Sequence, residues 1–323
     1  MDEFALIAEL LAPLSEAAPG AFNLTDDAAL VSLPEGRRLV IAKDMLVAGV
    51  HCLADDDPGL IARKLLRVNL SDLAAMGAAP HSYLLGLALP PATDDGWLRG
   101  FVAGLALDQA DFGVHLIGGD TVSTDGPFTA SLTALGEVRA GAELRRSAAR
   151  PGDLVYVSGS IGDAALGLAV LNGGLPGLDE SAEAWLRDRY HLPQPRIALG
   201  LRLSGLVHGL IDVSDGLMAD LGHICAASGV AAEIDAARIP VSTAARAALA
   251  LDAGLREKIL GGGDDYELLF TAVSEAAAPL AAIARDLELP ITAIGRIVEG
   301  GGMTALDETG APIDLASPGW RHF

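Results

Sequence analysis

The sequence predicts an α/β protein built as two α/β domains. Three observations carry this. The chain has 323 residues, about twice the ~150 of an ordinary domain. In each half, short apolar runs alternate with stretches whose apolar residues recur at helical spacing. The turn signal Pro151-Gly152-Asp153 opens the second series. The boundary falls at about 140–152, dividing the chain into 1–145 and 146–323. Apolar residues make up 51% and charged residues 20%, enough to bury a core and not a composition of disorder.

Residues 4–12 read as a short helix with Phe4, Ile7, Ala8 and Leu11 on one face. Extended segments follow at 38–42 and 46–50. Pro58 suits the first position of a helix that runs to about Met76, with Gly77 past its end. A strand at 82–89 stops at Pro90-Pro91, and a helix fits 94–110. A strand near 114–117 leads to a turn at Gly118-Gly119-Asp120, then a strand near 127–138. In the second half, Leu154–Ser158 is a strand and Ile161–Leu171 a helix. Helices fit 181–191 and 195–204. The strand Gly209–Val213 leads into a helix over 216–228, ended by Gly229. Strands fit 231–234, 267–273 and 291–298. No short-period repeat is present.

The net charge is −21, from 22 Lys and Arg against 43 Asp and Glu. Affinity for nucleic acid rests on neutralising phosphates, so a nucleic-acid partner is excluded, and an anionic lipid surface is disfavoured for the same reason. No apolar run approaches the ~18 residues of a membrane span. Cys52 and Cys225 match no zinc spacing and suit a reducing compartment. Met1-Asp2-Glu3-Phe4 has no basic n-region. The expectation is a cytoplasmic protein.

The acids are 28 Asp and 15 Glu. Asp is the shorter arm, favoured at turns, caps and hard-metal sites. On the helix from Pro58, residues Ile61, Leu65, Val68 and Asp72 fall at about 0°, 40°, −20° and 20°, so Asp72 lies on the apolar stripe. Asp26-Asp27, Asp44, Asp120, Asp212 and Asp215 sit at comparable ends of elements. Any one of these alone is more often a cap or a turn residue than a ligand. Converging, each pair at 4 Å would repel by roughly 4 kcal/mol at an effective dielectric of 20, which only bound cations make tenable. Mg²⁺ takes one or two carboxylates and leaves positions for phosphate oxygens, so such a set would mean several Mg²⁺ ions and a polyphosphate. No P-loop, G-x-G-x-x-G opening a helix, or protein-kinase motif is present.

Blocks in order along the chain carry a resemblance. They are Leu24-Thr25-Asp26-Asp27-Ala28-Ala29-Leu30, Asp44 to His51, Asn69 to Gly77 and Ile117-Gly118-Gly119-Asp120-Thr121. Arg146-Ser147 with Pro151-Gly152-Asp153, Ile211 to Leu217, Gly261 to Leu268 and Gly319 to Phe323 follow. Together they resemble thiamine-monophosphate kinase. The resemblance implies the aminoimidazole ribonucleotide synthetase-like fold, an N-terminal domain for dimerisation and Mg-ATP binding, and a C-terminal domain completing the active site. It implies a homodimer and the reaction of ATP with thiamine phosphate to give ADP and thiamine diphosphate. Position by position, it makes Asp27, Asp44, Asp72, Asp120, Asp212 and Asp215 Mg²⁺ ligands. Gly119, Asp120, Arg146 and Ser214 would contact ATP, and His51, Asp264 and Trp320 the thiamine phosphate.

Three positions depart from the family's pattern. Thr25 stands where Gly is often found, Ala42-Lys43 where Ser-Thr is, and Asp264 where Glu is. At 43 a fixed charge thus replaces a hydroxyl. A phosphate monoester is mostly dianionic at pH 7, so the acceptor needs no general base, and the sequence offers no evident nucleophile–base pair. Among relatives of the same fold, a selenophosphate synthetase would carry a reactive Cys near its start, whereas Cys52 is the first here. A non-catalytic Mg-nucleotide-binding subunit is the rival of another class, and it would form no ADP in response to thiamine phosphate.

Overall fold

The computed structural model describes residues 3–313 and 319–320. Two compact units divide the chain: residues through Leu73 with Ala78–Gly141, and Ala74–Gly77 with the chain from Ala142.

The first unit begins with α1 (Glu3–Leu6), a π turn at Ile7–Leu11 and 3₁₀ turns at Ala12–Ser15 and Pro19–Leu24. The single helix expected over 4–12 is thus broken into tighter and wider turns, and Pro13 enters the first 3₁₀ turn, where it cannot continue an α-helix. The unit's sheet has the order β1 (Arg37–Val47), β4 (Thr129–Arg139), β2 (Ala79–Leu89) and β3 (His115–Ser123). The β2–β3 pair is parallel and the others are antiparallel. Its helices are α2 (Pro58–Ala75) and α3 (Asp95–Phe112).

Local chemistry explains these boundaries. Asp94 caps α3 through the Trp97 amide at 2.7 Å, and Gly113 ends it at φ 66°. The buried Asp108 carboxylate receives Arg63 Nε at 2.8 Å and Arg67 Nε at 2.6 Å, joining α2 to α3. Tyr83 donates to Gln109 Oε1 at 2.7 Å, which sets α3 against β2. Two expectations change here. The extended segments 38–42 and 46–50 become one strand that ends at Val47, because the amides of Val50 and His51 turn back to the Val47 carbonyl. The turn expected at Gly118-Gly119-Asp120 is instead the middle of β3. A Cβ at Gly119 would lie 1.9 Å from the Leu85 carbonyl oxygen, so the glycine serves close strand approach rather than reversal.

The second unit holds a six-stranded sheet in the order β10-β7-β9-β5-β8-β6. Its strands are β5 (Leu154–Ser158), β6 (Leu210–Asp212), β7 (Ala231–Asp235), β8 (Leu268–Ala272), β9 (Ile291–Val298) and β10 (Gly302–Leu306). Its helices are α4 (Asp163–Leu171), α5 (Glu180–His191), α6 (Ile197–Gly200), α7 (Leu217–Ser228), α8 (Thr243–Leu251), α9 (Leu255–Gly261) and α10 (Ala277–Asp286). Val155, Val157, Ile211, Ile234 and Leu269 are among the strand residues of a core closed by Leu166, Leu186, Leu221 and Ile259. The helix expected over 195–204 shrinks to α6. A Cβ at Gly200 would meet the Ala74 carbonyl oxygen at 2.1 Å, so the chain passes that point closely and then turns. Among the described residues, no helix is long and apolar enough to cross a membrane.

Candidate active site

In the first unit a cleft of about 730 Å³ opens on the sheet face away from α3. Asp26 and Asp27 enter it from the N-terminal segment, Lys43 from β1, Gly118 to Thr121 from β3, and Ser131 and Thr133 from β4. Asp27 and Asp120 are both exposed to it. Asp120 lies opposite Gly86 of β2, and its Oδ1 accepts the Thr121 amide at 3.0 Å. Lys43 lies opposite Thr133 and donates to Ser131 Oγ. The structure thus brings Asp27, Gly119 and Asp120 to one cleft.

Asp44 follows Lys43 on β1, so strand alternation puts its side chain on the other face. That is the face against α2: the Asp44 amide donates to Asn69 Oδ1 at 3.0 Å, while Asn69 Nδ2 donates to the Leu65 carbonyl at 2.9 Å. Asn69 is fully buried and fixes this point of β1. Asp72, one turn further along α2, is half-buried, as its place on the apolar stripe requires. His51 closes the turn after β1, where Nδ1 accepts the Val47 amide at 3.1 Å. Its ring proton is therefore on Nε2.

In the second unit the sites gather at one loop. Asp212 ends β6 with 3% exposure. Ser214, Asp215 and Gly216 then turn the chain into α7, Gly216 at φ 127°. The loop's shape is set by Asp220, whose Oδ2 accepts the amides of Ser214, Asp215 and Gly216 at 3.0, 3.1 and 3.1 Å. Burial, and then the carboxylates of Asp212 and Asp215, push its pKa up to about 7. Asp264 is locked beside the loop by its amide on the Ser214 carbonyl at 2.8 Å, at φ 72°. Tyr266 OH reaches its Oδ1 at 3.3 Å. Gly263 is obligatory, since a Cβ would lie 2.2 Å from the Ser214 oxygen. The Trp320 amide donates to the Asp215 carbonyl at 2.9 Å, bringing its half-exposed indole to the same loop. Arg321, His322 and Phe323 lie outside the described residues. Arg146 is apart from this group: its carbonyl accepts Ser228 Oγ at 3.3 Å, at the far end of α7, and its side chain is exposed.

The sequence reading missed three groups here. Asp220 and exposed His223 offer ligand atoms that lie, with one from Asp215, within 4.8 Å of one another. Both sit on the face of α7 that follows the loop, a spacing visible in Asp215, Asp220 and His223 once the helix start is known. Asp265 is buried and accepts the Gly162 and Ala164 amides at 2.7 and 3.3 Å. It holds the start of α4 rather than facing the loop with Asp264.

Two α/β units carrying acidic clefts and loops define a protein of the AIR synthase related type. Residues 25–138 match the AIR synthase related protein N-terminal domain, and 150–308 the C-terminal domain. The thiamine-monophosphate kinase of Caulobacter vibrioides is 41% identical over 323 residues, covering 99% of this chain and 90% of the relative. The crystal structure of thiamine-monophosphate kinase from Stenotrophomonas maltophilia K279a superposes with a TM-score of 0.85 at 42% identity, covering 94% of this chain and 96% of that one. AaThiL complexed with AMPPCP and TMP gives a TM-score of 0.80 at 30% identity, covering 99% and 97%. The chain belongs to the thiamine-monophosphate kinase family.

Proposed function

We propose that this protein transfers the γ-phosphoryl group of ATP to thiamine phosphate, giving ADP and thiamine diphosphate. The observation that carries the reading is the similarity, over nearly the whole of both chains, to kinases of thiamine monophosphate. The relative complexed with AMPPCP and TMP adds support from the ligands it holds.

The donor chemistry fits Mg²⁺. Asp27 and Asp120 present carboxylate oxygens to an open cleft, and Asp212 and Asp215 stand near Asp220, whose pKa is raised by burial first and then by their charges. Hard oxygen donors with room for phosphate are what Mg²⁺ takes. Asp27, Asp44, Asp72, Asp120, Asp212 and Asp215 would hold several such ions. When bound, Mg²⁺ supplies charge neutralisation on the phosphate oxygens. The protein's own part is positioning. Gly119, Asp120, Ser214 and Arg146 would be the ATP contacts. His51, Asp264 and Trp320 orient the thiamine phosphate, whose own dianion attacks. The 1–145 domain is read as the Mg-ATP-binding and dimerisation domain, and 146–323 as the domain that supplies the remaining ligands. The protein is read as a homodimer through the 1–145 domain. A cytoplasmic location accords with a chain of 323 residues that has only two cysteines.

The test is ADP release with thiamine phosphate, with thiamine, and with no acceptor. ADP is expected only with thiamine phosphate. Equal turnover of thiamine would overturn the reading.

A further inference from the structure

Among the described residues, Lys43 is the only lysine or arginine lining the cleft that holds Asp26, Asp27, Gly119 and Asp120. Three carboxylates line the same cleft, yet the ammonium pairs with none of them; its polar partner is Ser131 Oγ. Strand alternation points the side chain to this face of β1, and the Ser131 bond holds it across β4 instead of letting it extend to solvent. An ammonium fixed this way is a compact point charge suited to phosphate oxygens. The neighbouring position, Asp44, faces α2, so Lys43 is the residue of this strand that meets whatever fills the cleft.

We infer that Lys43 contacts the β- or γ-phosphate of the bound nucleotide and takes over part of the charge neutralisation that would otherwise fall to a divalent cation. This rests on the nucleotide reading of the cleft. It makes the requirement of this protein for free Mg²⁺ lower than that of a variant bearing a hydroxyl at 43.

Calorimetric titration of ATP and of AMP into the parent, Lys43→Met, Lys43→Gln and Lys43→Arg tests it, at fixed MgCl₂ and across a free-Mg²⁺ series. Loss of a charged hydrogen bond should weaken ATP about tenfold in the neutral variants, with AMP, which lacks both outer phosphates, nearly unchanged. The Mg²⁺ midpoint for ATP should rise several-fold, and Lys43→Arg should recover most of both. Lys43 is exposed on its strand, so the ligand-free melting temperatures should match the parent. Equal weakening of ATP and AMP would show a merely structural role and overturn the inference, as would unchanged ATP affinity in both neutral variants. Binding is read without thiamine phosphate. A parent that loses ATP in Lys43→Met but makes no ADP with thiamine phosphate would therefore sink the kinase reading and keep this one. A parent that binds no ATP would sink both.

Discussion

One oxygen, Asp220 Oδ2, carries three backbone amides, and this gives a sharp contrast between two substitutions. Asp220→Asn keeps an oxygen acceptor and should retain the loop, its melting temperature and most activity. Asp220→Ala leaves three inward amides unmet, at about 1–3 kcal/mol for each that stays buried, and should melt many degrees lower. If both variants melted alike, the loop would not depend on this acceptor. Asp72→Asn should cost activity by orders of magnitude while the ligand-free fold stays as stable or slightly more so, because membership of the proposed Mg²⁺-binding carboxylate set means that its charge is repelled when no cation is bound. Asp55→Asn, on an exposed loop, should leave turnover near that of the parent. Indistinguishable rates for these two would remove Asp72 from the site.

Elements show how much of this was legible. Helices with chemical punctuation read well: Pro58 opens α2, Gly77 lies just past its end, and Gly229 ends α7. The strand β3 did not, because two successive glycines look like a turn until the approach of β2 is known. α8, α9 and α10 were unread as well. All three are short, at nine, ten and seven residues for α8, α10 and α9, and give few turns over which a helical period can be read. Asp212 and Asp215 were visible as acids at the ends of elements, but Ser214 and Asp264 were legible only through the resemblance, since their meeting depends on a loop folded by Asp220 and on left-handed backbone at Asp264. The start of α4 yields a pH prediction. Burial first, opposed by the Gly162 and Ala164 amides, and then Asp163, raise the pKa of Asp265 well above the ordinary carboxylate range. The folded state then keeps a proton that the unfolded chain has released, so this residue's contribution to stability falls as pH rises above about 4. Melting temperatures between pH 4 and 8 should fall less steeply in Asp265→Asn than in the parent; parallel curves would mean that Asp265 ionises normally.

At the scale of the molecule, ligand linkage offers the broadest check. A ligand that binds only the folded state stabilises it by about 2.7 kcal/mol at a hundred times its Kd. MgATP at millimolar concentration should raise the melting temperature more than ATP or Mg²⁺ alone, because free ATP meets a chain of net charge −21. Asp120→Asn should remove most of that shift. A parent insensitive to MgATP would contradict a nucleotide site in either unit. The two sheets also differ in when they can be completed during synthesis. The first closes once β4 has been made, at Arg139. In the second, β5 lies between β8 and β9, pairing Leu154 with Ala272 and with Arg296. Chains emerge at about 5–20 residues per second, N-terminus first, so this strand waits for seconds with both edges open. Such long-range pairing is intrinsically slow and exposed to aggregation. Nascent chains stalled near residue 200 should therefore already protect β1–β4 from protease while β5 is still cut, and should call on a chaperone that the finished protein no longer needs.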